Sequence, residues 1–361
     1  MQSLTGGRNL TGAHLSDGRN PAGAVLSGTV LSGVGGKFRV ETDDGSTLIC
    51  NARGILRRGG ERLLPGDRVT VECSGKAVNS GNVTTAQNLG DTVNSTELVT
   101  GARRDGSDGV ISGLLPRKNE LIRPPLANLD RIFAVISSAY PEPSTLLADK
   151  LITIAEHEGI KPVIVISKRD LSQQSAERLH GIYTRCGFTV FDLSSLDGSG
   201  VNTLKNYITE ECRDGITTFA GVSGAGKSTL LNALFPSLGL KTGELSERLS
   251  RGKNTTRTSE LFPLASLLGL PRDGCRGYVA DTPGFSMIDF TRYDYYELAD
   301  LPHVFREFEP YLGSCRYSRC THTCEDGCAI LAALEAGEIP RERHESYLSI
   351  YADLRDKRKW K

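Results

Sequence analysis

The sequence carries no excess charge of either sign. Lysine plus arginine and aspartate plus glutamate each number 43 among 361 residues, which gives a formal net charge of zero. A neutral chain does not coat nucleic acid in general, so any contact with RNA has to come from local basic patches. Three patches are candidates for phosphate contacts, and each is also typical of a solvated surface. Their residues are Arg53, Arg57, Arg58 and Arg62; Arg248, Arg251, Lys253 and Arg257; and Arg355, Lys357, Arg358, Lys359 and Lys361.

Long apolar runs are also absent. No stretch of the sequence approaches the ~18–20 apolar residues that cross a bilayer, which argues against a membrane protein. Residues 1–24 are polar and rich in glycine, and they lack the apolar core of a signal peptide. We therefore expect a disordered tail in this segment and a cytoplasmic protein.

Cysteine occurs nine times without a secretion signal, so a disulfide framework is not indicated. Four cysteines fall within 14 residues around His322: Cys315, Cys320, Cys324 and Cys328. Thiolates and an imidazole are ligands that suit tetrahedral Zn²⁺. The spacing therefore predicts one structural metal site, with His322 and Cys324 as rival ligands inside it. Free cysteines without a metal are the alternative.

Residues 25–122 are predicted to form a small β-barrel. Short stretches of β-type residues alternate there with turns such as Gly35-Gly36 and Asp44-Gly45. About five short strands suggest either an oligonucleotide-binding (OB) barrel or a small barrel without nucleic acid. The predicted strands include Val25–Val34, Lys37–Glu41, Thr47–Asn51 and Arg68–Cys73.

The pattern changes in residues 123–290. Apolar strands alternate there with helical stretches, which is typical of a parallel sheet covered by helices. The strands are Ile132–Ser137, Val163–Ser167, Thr189–Leu193, Thr217–Ala220 and Tyr278–Ala280. Residues 291–361 contain the cysteine-rich segment and two predicted helices, Ala329–Gly337 and Arg341–Lys357, so we expect a helical metal-binding domain there.

A phosphate-binding loop is the clearest motif of the central domain. It follows a predicted strand and precedes a predicted helix, which is the context that G-x-x-x-x-G-K-[ST] requires. The backbone N–H groups of such a loop surround phosphate oxygens, Lys227 reaches the β- and γ-phosphates, and the Ser228 hydroxyl binds Mg²⁺. The predicted nucleotide contacts are Gly221, Val222, Ser223, Gly224, Ala225, Gly226, Lys227, Ser228 and Thr229.

Two downstream segments are typical of switch regions. Asp281 ends a predicted strand and begins the motif D-T-P-G, in which the aspartate can hold Mg²⁺ through water and the N–H of Gly284 can reach a γ-phosphate. Between the phosphate loop and this motif lies a polar loop with Asn254, Thr255 and Thr256. One of the two threonines is expected to complete the Mg²⁺ shell, and a solvated basic loop is the alternative.

The motif S-K-R-D, which directly follows a predicted strand, indicates which base is bound. Asp170 can accept hydrogen bonds from two guanine N–H groups, whereas adenine offers an acceptor at one of these positions. Lys168, next to Ser167, would lay its stem along the base and ribose. Ser194 and Ser195, after the following strand, would form the last loop that touches the base.

These motifs occur in an inverted order. In ordinary GTPases the phosphate loop comes first and the base motif last, whereas here residues 167–170 precede residues 221–228. A circular permutation preserves the three-dimensional site and changes where the chain leaves it. The chain here leaves directly after the Asp281 switch, toward the cysteine-rich segment.

Together these features resemble the circularly permuted GTPases that depend on the small ribosomal subunit. The similarity covers about residues 25–361 and includes the barrel, the linker R-P-P-L-A-N-L-D that begins at Arg123, the permuted motifs and the cysteine-rich segment. It implies an OB barrel that faces RNA, a central GTPase domain that binds GTP with Mg²⁺, and a C-terminal zinc-binding domain. The implied ligands of one structural Zn²⁺ are Cys315, Cys320, His322 and Cys328.

Four positions matter for activity when the sequence is compared with that family. Ser167 stands where the family has Asn, which contacts the base and braces the phosphate loop. Phe285 follows Gly284, so the water-positioning Gln of many GTPases is absent, as it is in the family. The family's His in the switch loop is Asn254 here, and a further His of close relatives is Thr258. Asn254 can hydrogen-bond water but does not titrate near neutrality, so slow intrinsic turnover is expected.

These features leave three candidate functions. The leading hypothesis is a monomeric GTPase that acts late in maturation of the small (30S) ribosomal subunit, binds its rRNA, and hydrolyses GTP to GDP and phosphate. A nucleotide-switched rRNA-binding module with negligible turnover is the second, and the third, a small-molecule kinase or ATPase, is opposed by Asp170. The expected catalytic residues are Lys227, Asn254, Thr255, Thr256 and Gly284.

Overall fold

The structure of the chain is a computed structural model that describes residues 23–54, 62–74, 107–239, 259–281, 290 and 292–358. Its contacts divide the chain into two compact units, residues 1–116 and 117–361. The second unit contains both the central domain and the cysteine-rich segment. The domain boundaries proposed near residues 122 and 290 stay predictions.

The first unit is a closed five-stranded barrel, which confirms the predicted architecture. The strands follow the order β1-β2-β3-β5-β4, with β3 and β5 parallel and the other neighbours antiparallel, an OB-like arrangement. The strands are β1 Val25–Val34, β2 Lys37–Thr42, β3 Thr47–Ala52, β4 Arg68–Cys73 and β5 Gly109–Leu114. Side chains that alternate along these strands fill the interior: Val30, Val40, Leu48, Cys50, Val69, Val71, Cys73 and Ile111.

The second unit is built on a six-stranded sheet with the order β10-β9-β8-β11-β13-β12. All neighbouring pairs are parallel except β12, which is antiparallel to β13. The strands are β8 Leu129–Ser137, β9 Lys161–Ser167, β10 Thr189–Asp192, β11 Ile216–Ala220, β12 Glu260–Pro263 and β13 Tyr278–Asp281, and a small hairpin of β6 Glu120–Leu121 and β7 Leu126–Ala127 precedes them.

Helices cover this sheet, as predicted for a parallel α/β domain. They are α1 Thr145–His157, α2 Gln173–Arg185, α3 Val201–Glu211, α4 Lys227–Leu234 and the short α5 Leu264–Leu268. Strand β9 is buried at every position after Lys161, because a parallel strand is covered on both faces and does not alternate. In the core, Phe133 of β8 stacks on Phe219 of β11 with ring centroids 4.6 Å apart. Full burial of a side chain of this size contributes about 1.5–3 kcal/mol.

The sheet brings the motif-bearing strand ends to one edge. In register, Ser137 pairs with Ser167, Ala134 with Ala220, and Thr218 with Ala280. The carboxyl ends of β8, β9, β11 and β13 are therefore neighbours, and ligands of open α/β sheets bind at this edge. The fold positions the base motif after β9, the phosphate loop after β11 and Asp281 at the end of β13 along this one edge, with β8 between β9 and β11.

The C-terminal segment packs against the sheet domain through a long helix. Two 3₁₀ helices, Leu301–Val304 and Arg306–Tyr311, precede α6 Ala329–Glu335 and α7 Arg341–Arg358. The predicted apolar face of α7 is confirmed: Tyr347, Ile350 and Leu354 are buried, and Tyr351 is half-buried. Where α7 packs against α1, the Lys150 ammonium of α1 pairs with the Asp353 carboxylate of α7 at 2.7 Å. None of the helices in the described part of the chain has the length and apolarity of a bilayer-crossing segment.

Candidate nucleotide-binding site and metal centre

The phosphate loop connects β11 to α4 and depends on two glycines. A side chain at Gly221 would collide with the backbone carbonyl of Val135, so the close approach of β8 requires glycine there. Gly226 immediately precedes α4 with a φ of +89°, a left-handed conformation that glycine adopts without strain. The loop thus ends at a helix N-terminus, where free N–H groups and the helix dipole favour phosphate.

Lys227 lies in the first turn of α4 and faces back into the loop. Its ammonium donates hydrogen bonds to the carbonyls of Gly221 and Val222, both at 2.8 Å. Burial lowers the pKa of Lys227 to about 8. Anionic phosphate oxygens are stronger acceptors than neutral carbonyls. The same ammonium can therefore exchange these carbonyls for the β- and γ-phosphates.

The base motif contacts the phosphate loop directly, although the two are far apart in the chain. The Ser167 hydroxyl donates to the carbonyl of Ala225, 58 residues away, at 2.6 Å. The Lys168 ammonium donates to the carbonyl of Gly224 at 2.7 Å and to that of Tyr140. A serine hydroxyl therefore braces the base motif against the phosphate loop.

The turn between β8 and α1 forms a third wall of the site that the sequence analysis missed. Ser138 is buried, and its hydroxyl donates to the carbonyl of Lys168 at 2.6 Å. The neighbouring Ser137 hydroxyl donates to the Tyr140 carbonyl at 2.9 Å. The available signal was a pair of small polar residues at a strand end on the same sheet edge as Ser167. Such pairs are too common to have been singled out.

The loop after β10 completes the region around the base. Ser194 is fully buried, and its hydroxyl accepts hydrogen bonds from the N–H groups of Leu196 and Asp197 at 3.2 and 3.4 Å. This hydroxyl therefore shapes its own loop, and the half-buried Ser195 is the neighbour with accessible surface. The N–H of Arg169 donates to the Leu193 carbonyl at 3.1 Å and ties this loop to the base motif.

The remaining candidates for nucleotide and Mg²⁺ contacts lie around the same edge. Asp170 is exposed, Ser228 is half-buried in the first turn of α4, and Asp281 is the last residue of β13. The structure thus brings the base, phosphate and Mg²⁺ candidates of the described residues to one side of the sheet. Four predicted site residues lie outside the described residues: Asn254, Thr255, Thr256 and Gly284.

Four candidate metal ligands gather in the C-terminal segment. The ligand atoms of Cys315, Cys320, His322 and Cys328 all lie within 4.8 Å of one another. The Cys315 sulfur is 3.9 Å from the Cys328 sulfur and 3.6 Å from Nδ1 of His322. Ligands about 2.0–2.3 Å from a tetrahedral Zn²⁺ are separated by distances of this order. Cys324 is exposed and is not part of this group.

The surrounding residues fix the orientation of this group. His322 has a left-handed backbone with a φ of +58°, and its carbonyl accepts a hydrogen bond from Nε2 of His344 on α7 at 2.9 Å. The Tyr347 hydroxyl donates to the carbonyl of Thr321 at 2.8 Å. The carboxylate of Glu325 accepts from the N–H groups of Thr321 and Thr323. His344 and Tyr347 therefore join helix α7 to the loop that carries the candidate metal ligands.

A phosphate loop and a guanine-type base motif that meet in space, but follow each other in reverse order along the chain, define a circularly permuted GTPase. Comparison with known proteins agrees with this class. The model of the RsgA GTPase family matches residues 114–291. With the relatives described next, this match shows that the chain belongs to the RsgA GTPase family.

Similar proteins match nearly the whole chain. The small ribosomal subunit biogenesis GTPase RsgA of Moorella thermoacetica is 37% identical and covers 91% of this chain and 97% of its own length. The protein of the same name from Ruminiclostridium cellulolyticum is 34% identical, with coverages of 91% and 94%. The crystal structure of YjeQ from Thermotoga maritima aligns with a TM-score of 0.67 and 30% identity over 92% of this chain and 99% of that one. YloQ, described as a circularly permuted GTPase, gives the same TM-score at 25% identity, with coverages of 96% and 99%.

Proposed function

We propose that this protein hydrolyses GTP to GDP and phosphate during late maturation of the small (30S) ribosomal subunit. The observation that carries the guanine nucleotide assignment is the direct contact of the base motif with the phosphate loop, through Ser167 and Ala225 at 2.6 Å. The ribosomal role is supported by relatives named small ribosomal subunit biogenesis GTPases, which align over 91% of this chain or more. This role assigns the protein to the cytoplasm, where ribosomes assemble.

Different residues of the site bind the base, the phosphates and Mg²⁺ of the nucleotide. Asp170 accepts two guanine N–H groups, and the stem of Lys168 covers the base. The backbone N–H groups of the phosphate loop and the Lys227 ammonium hold the β- and γ-phosphates, where negative charge gathers during transfer. Ser228 and Asp281 hold Mg²⁺, which neutralises charge between these phosphates when it is bound.

We assign the cysteine-rich group to one structural Zn²⁺. Its donor set, three thiolates and one imidazole, and its close spacing fit tetrahedral zinc. Four protein ligands close the shell and leave no position for a reacting water. The metal would stabilise a segment that has little apolar core of its own.

The proposed partner is rRNA of the small subunit, contacted through local basic patches by a monomer. Arg53 of the barrel is half exposed and pairs with Glu72, so it can exchange a carboxylate for a phosphate. In the C-terminal patch, Arg355 is 56% exposed, whereas Lys357 is only 16% exposed and bonds within the fold. Arg355 is therefore the better candidate for an RNA contact.

The decisive measurement is GTP turnover with and without purified small subunits. We expect slow intrinsic turnover and a clear acceleration by subunits, because Phe285 and Asn254 provide no titratable group to orient water. Subunit binding that depends on nucleotide without acceleration would instead favour the rRNA-binding module with negligible turnover. Equal affinity for ATP and GTP would contradict the guanine nucleotide assignment itself.

A further inference from the structure

The turn that carries Asp170 begins with a residue in a costly backbone conformation. Lys168 has a φ of +59°, in the left-handed region that residues with a side chain rarely adopt. Such a conformation persists only where the surrounding structure holds it in place.

The carbonyl of Lys168 is the fixed point of this turn. It accepts the N–H of Leu171 at 2.9 Å, which closes the turn around Asp170. It also accepts the hydroxyl of Ser138 at 2.6 Å. A carbonyl oxygen has two lone pairs, so both hydrogen bonds are made together.

Ser138 holds the turn at a second point. Its backbone N–H donates to the carbonyl of Ser167 at 3.0 Å, one residue before the left-handed position. Ser138 and Ser167 are both buried, with 1% and 2% of their surface exposed. Water therefore competes little for these hydrogen bonds, and the restraint on Lys168 persists in solution.

The side chain of Asp170 depends on this backbone. Asp170 is exposed, and among the described residues no hydrogen bond or ion pair fixes its carboxylate. Its direction is then set by the turn from Lys168 to Leu171. A bidentate contact tolerates little displacement, because both oxygens have to meet their donors at once.

We propose that Ser138 is a positioning residue for guanine recognition. Its hydroxyl holds Lys168 in the left-handed conformation and thereby directs Asp170 toward the base. This inference rests on the proposed function, in which Asp170 accepts the guanine N–H groups. It adds the turn after β8 to the elements that determine base specificity.

The test compares Ser138→Ala with the unaltered protein in competition binding of GTP and ATP against a labelled GDP. GTP affinity should fall about tenfold, the order expected when one buried hydrogen bond to a positioning group is lost. ATP binds through its phosphates and should keep its affinity, so the GTP/ATP ratio falls by the same factor. A general loss of stability would weaken the binding of both nucleotides alike and leave the ratio of GTP affinity to ATP affinity unchanged.

Thr153→Val is the matched control. Thr153 is fully buried on α1, and its hydroxyl donates to the carbonyl of Lys150 at 3.0 Å, away from the base motif. This variant should keep the GTP/ATP ratio of the unaltered protein. A ratio lowered to the same extent as in Ser138→Ala would overturn the proposal, because any buried hydroxyl would then have the effect.

A double-mutant cycle with Lys168→Gly tests the restraint on residue 168 separately. Glycine adopts a positive φ without strain, so in the Lys168→Gly background the Ser138 hydroxyl contributes less to keeping residue 168 in the left-handed conformation. Ser138→Ala should then lower GTP affinity by less than about twofold. A full tenfold loss in the glycine background would contradict the restraint on Lys168.

If the unaltered protein did not prefer GTP to ATP, the proposed function would fail. An unchanged preference in Ser138→Ala would reject this inference alone.

Discussion

The guanidinium of Arg343 on α7 donates a hydrogen bond to Asp149 of α1 at 2.5 Å, and neither side chain has exposed surface. Arg343 also pairs with Glu307 at 2.6 Å, and its guanidinium carbon lies 4.6 Å from the ring centroid of Phe305. Burial raises the pKa of the Asp149 carboxyl, and the Arg343 charge and the hydrogen bond from Tyr183 oppose that rise. A buried charge network therefore joins the C-terminal segment to the nucleotide-binding domain.

Removing Arg343 should destabilise the whole second unit. Arg343→Ala leaves Asp149 and Glu307 buried without their partner, which typically costs about 3–5 kcal/mol. We expect a loss of this size in the free energy of unfolding, measured by urea denaturation. The exposed Arg355→Ala on the same helix should change it by less than about 0.5 kcal/mol. A loss below about 1 kcal/mol in Arg343→Ala would show that the network contributes little.

Metal analysis should find one zinc per chain in protein purified without chelator. His322→Ala should weaken zinc binding strongly, because it removes one of four ligands. Cys324→Ala should retain the metal, since that thiol is exposed and lies outside the group. The reverse outcome, with full affinity in His322→Ala and loss in Cys324→Ala, would move the fourth ligand to Cys324.

GTP affinity should depend on pH through Lys227. The free protein holds the pKa of this ammonium at about 8, below its ordinary value of 10.5, because the group is buried. Bound phosphates favour the charged form, so binding raises this pKa. Affinity is then fully present below pH 8 and falls as pH rises above it, by up to about tenfold per unit.

Binding constants measured from pH 6.5 to 9.5 would reveal this dependence. Lys227→Ala should bind GTP weakly or turn it over poorly while keeping the fold, and its residual affinity should lose the decline above pH 8. Unchanged affinity and turnover in Lys227→Ala would show that the loop has no role in binding phosphate.

Replacing Asp170 with Asn should relax or abolish the preference for guanine. The amide presents one donor and one acceptor where the carboxylate presents two acceptors, so one guanine N–H group loses its partner. Competition of GTP and ATP for the variant gives the change directly. Retention of the full preference would assign base recognition to another residue.

Lys357 connects the C-terminal helix to the chain that follows the predicted switch at Asp281, and it is a candidate for coupling subunit binding to GTP hydrolysis. Its ammonium donates to the carbonyls of Phe290 and Tyr293 at 3.0 and 2.5 Å. Lys357→Met should reduce the acceleration by small subunits while leaving GTP affinity and intrinsic turnover close to normal. Arg341→Met is the control for charge loss on the same helix, because Arg341 is exposed and lies outside the basic patches. Full acceleration in Lys357→Met, at saturating subunits, would exclude this contact from coupling.

Local patterns in the sequence predicted the repeating parts of the structure. Apolar strands, the phosphate loop and the face of α7 are visible because each follows a short-range period or spacing. The contacts of Ser138 with Lys168 and of Arg343 with Asp149 join residues 30 and 194 positions apart. Periodicity indicates which side of an element is buried, and does not indicate which polar groups meet there. The choice between His322 and Cys324 likewise depended on resemblance, because spacing alone allowed both.

The strand order of the sheet has a consequence for how the protein is made. Residues 129–211 form β8, β9 and β10 side by side, and they contain all the residues proposed above to recognise the base. The sheet is then extended on the free side of β8 by β11, β13 and β12. The phosphate loop follows β11. Synthesis from the N-terminus therefore produces the proposed guanine-binding half of the sheet before the segment that carries the phosphate loop. The two halves join at the exposed residues Arg213 and Asp214, a natural point for splitting the enzyme into complementing fragments.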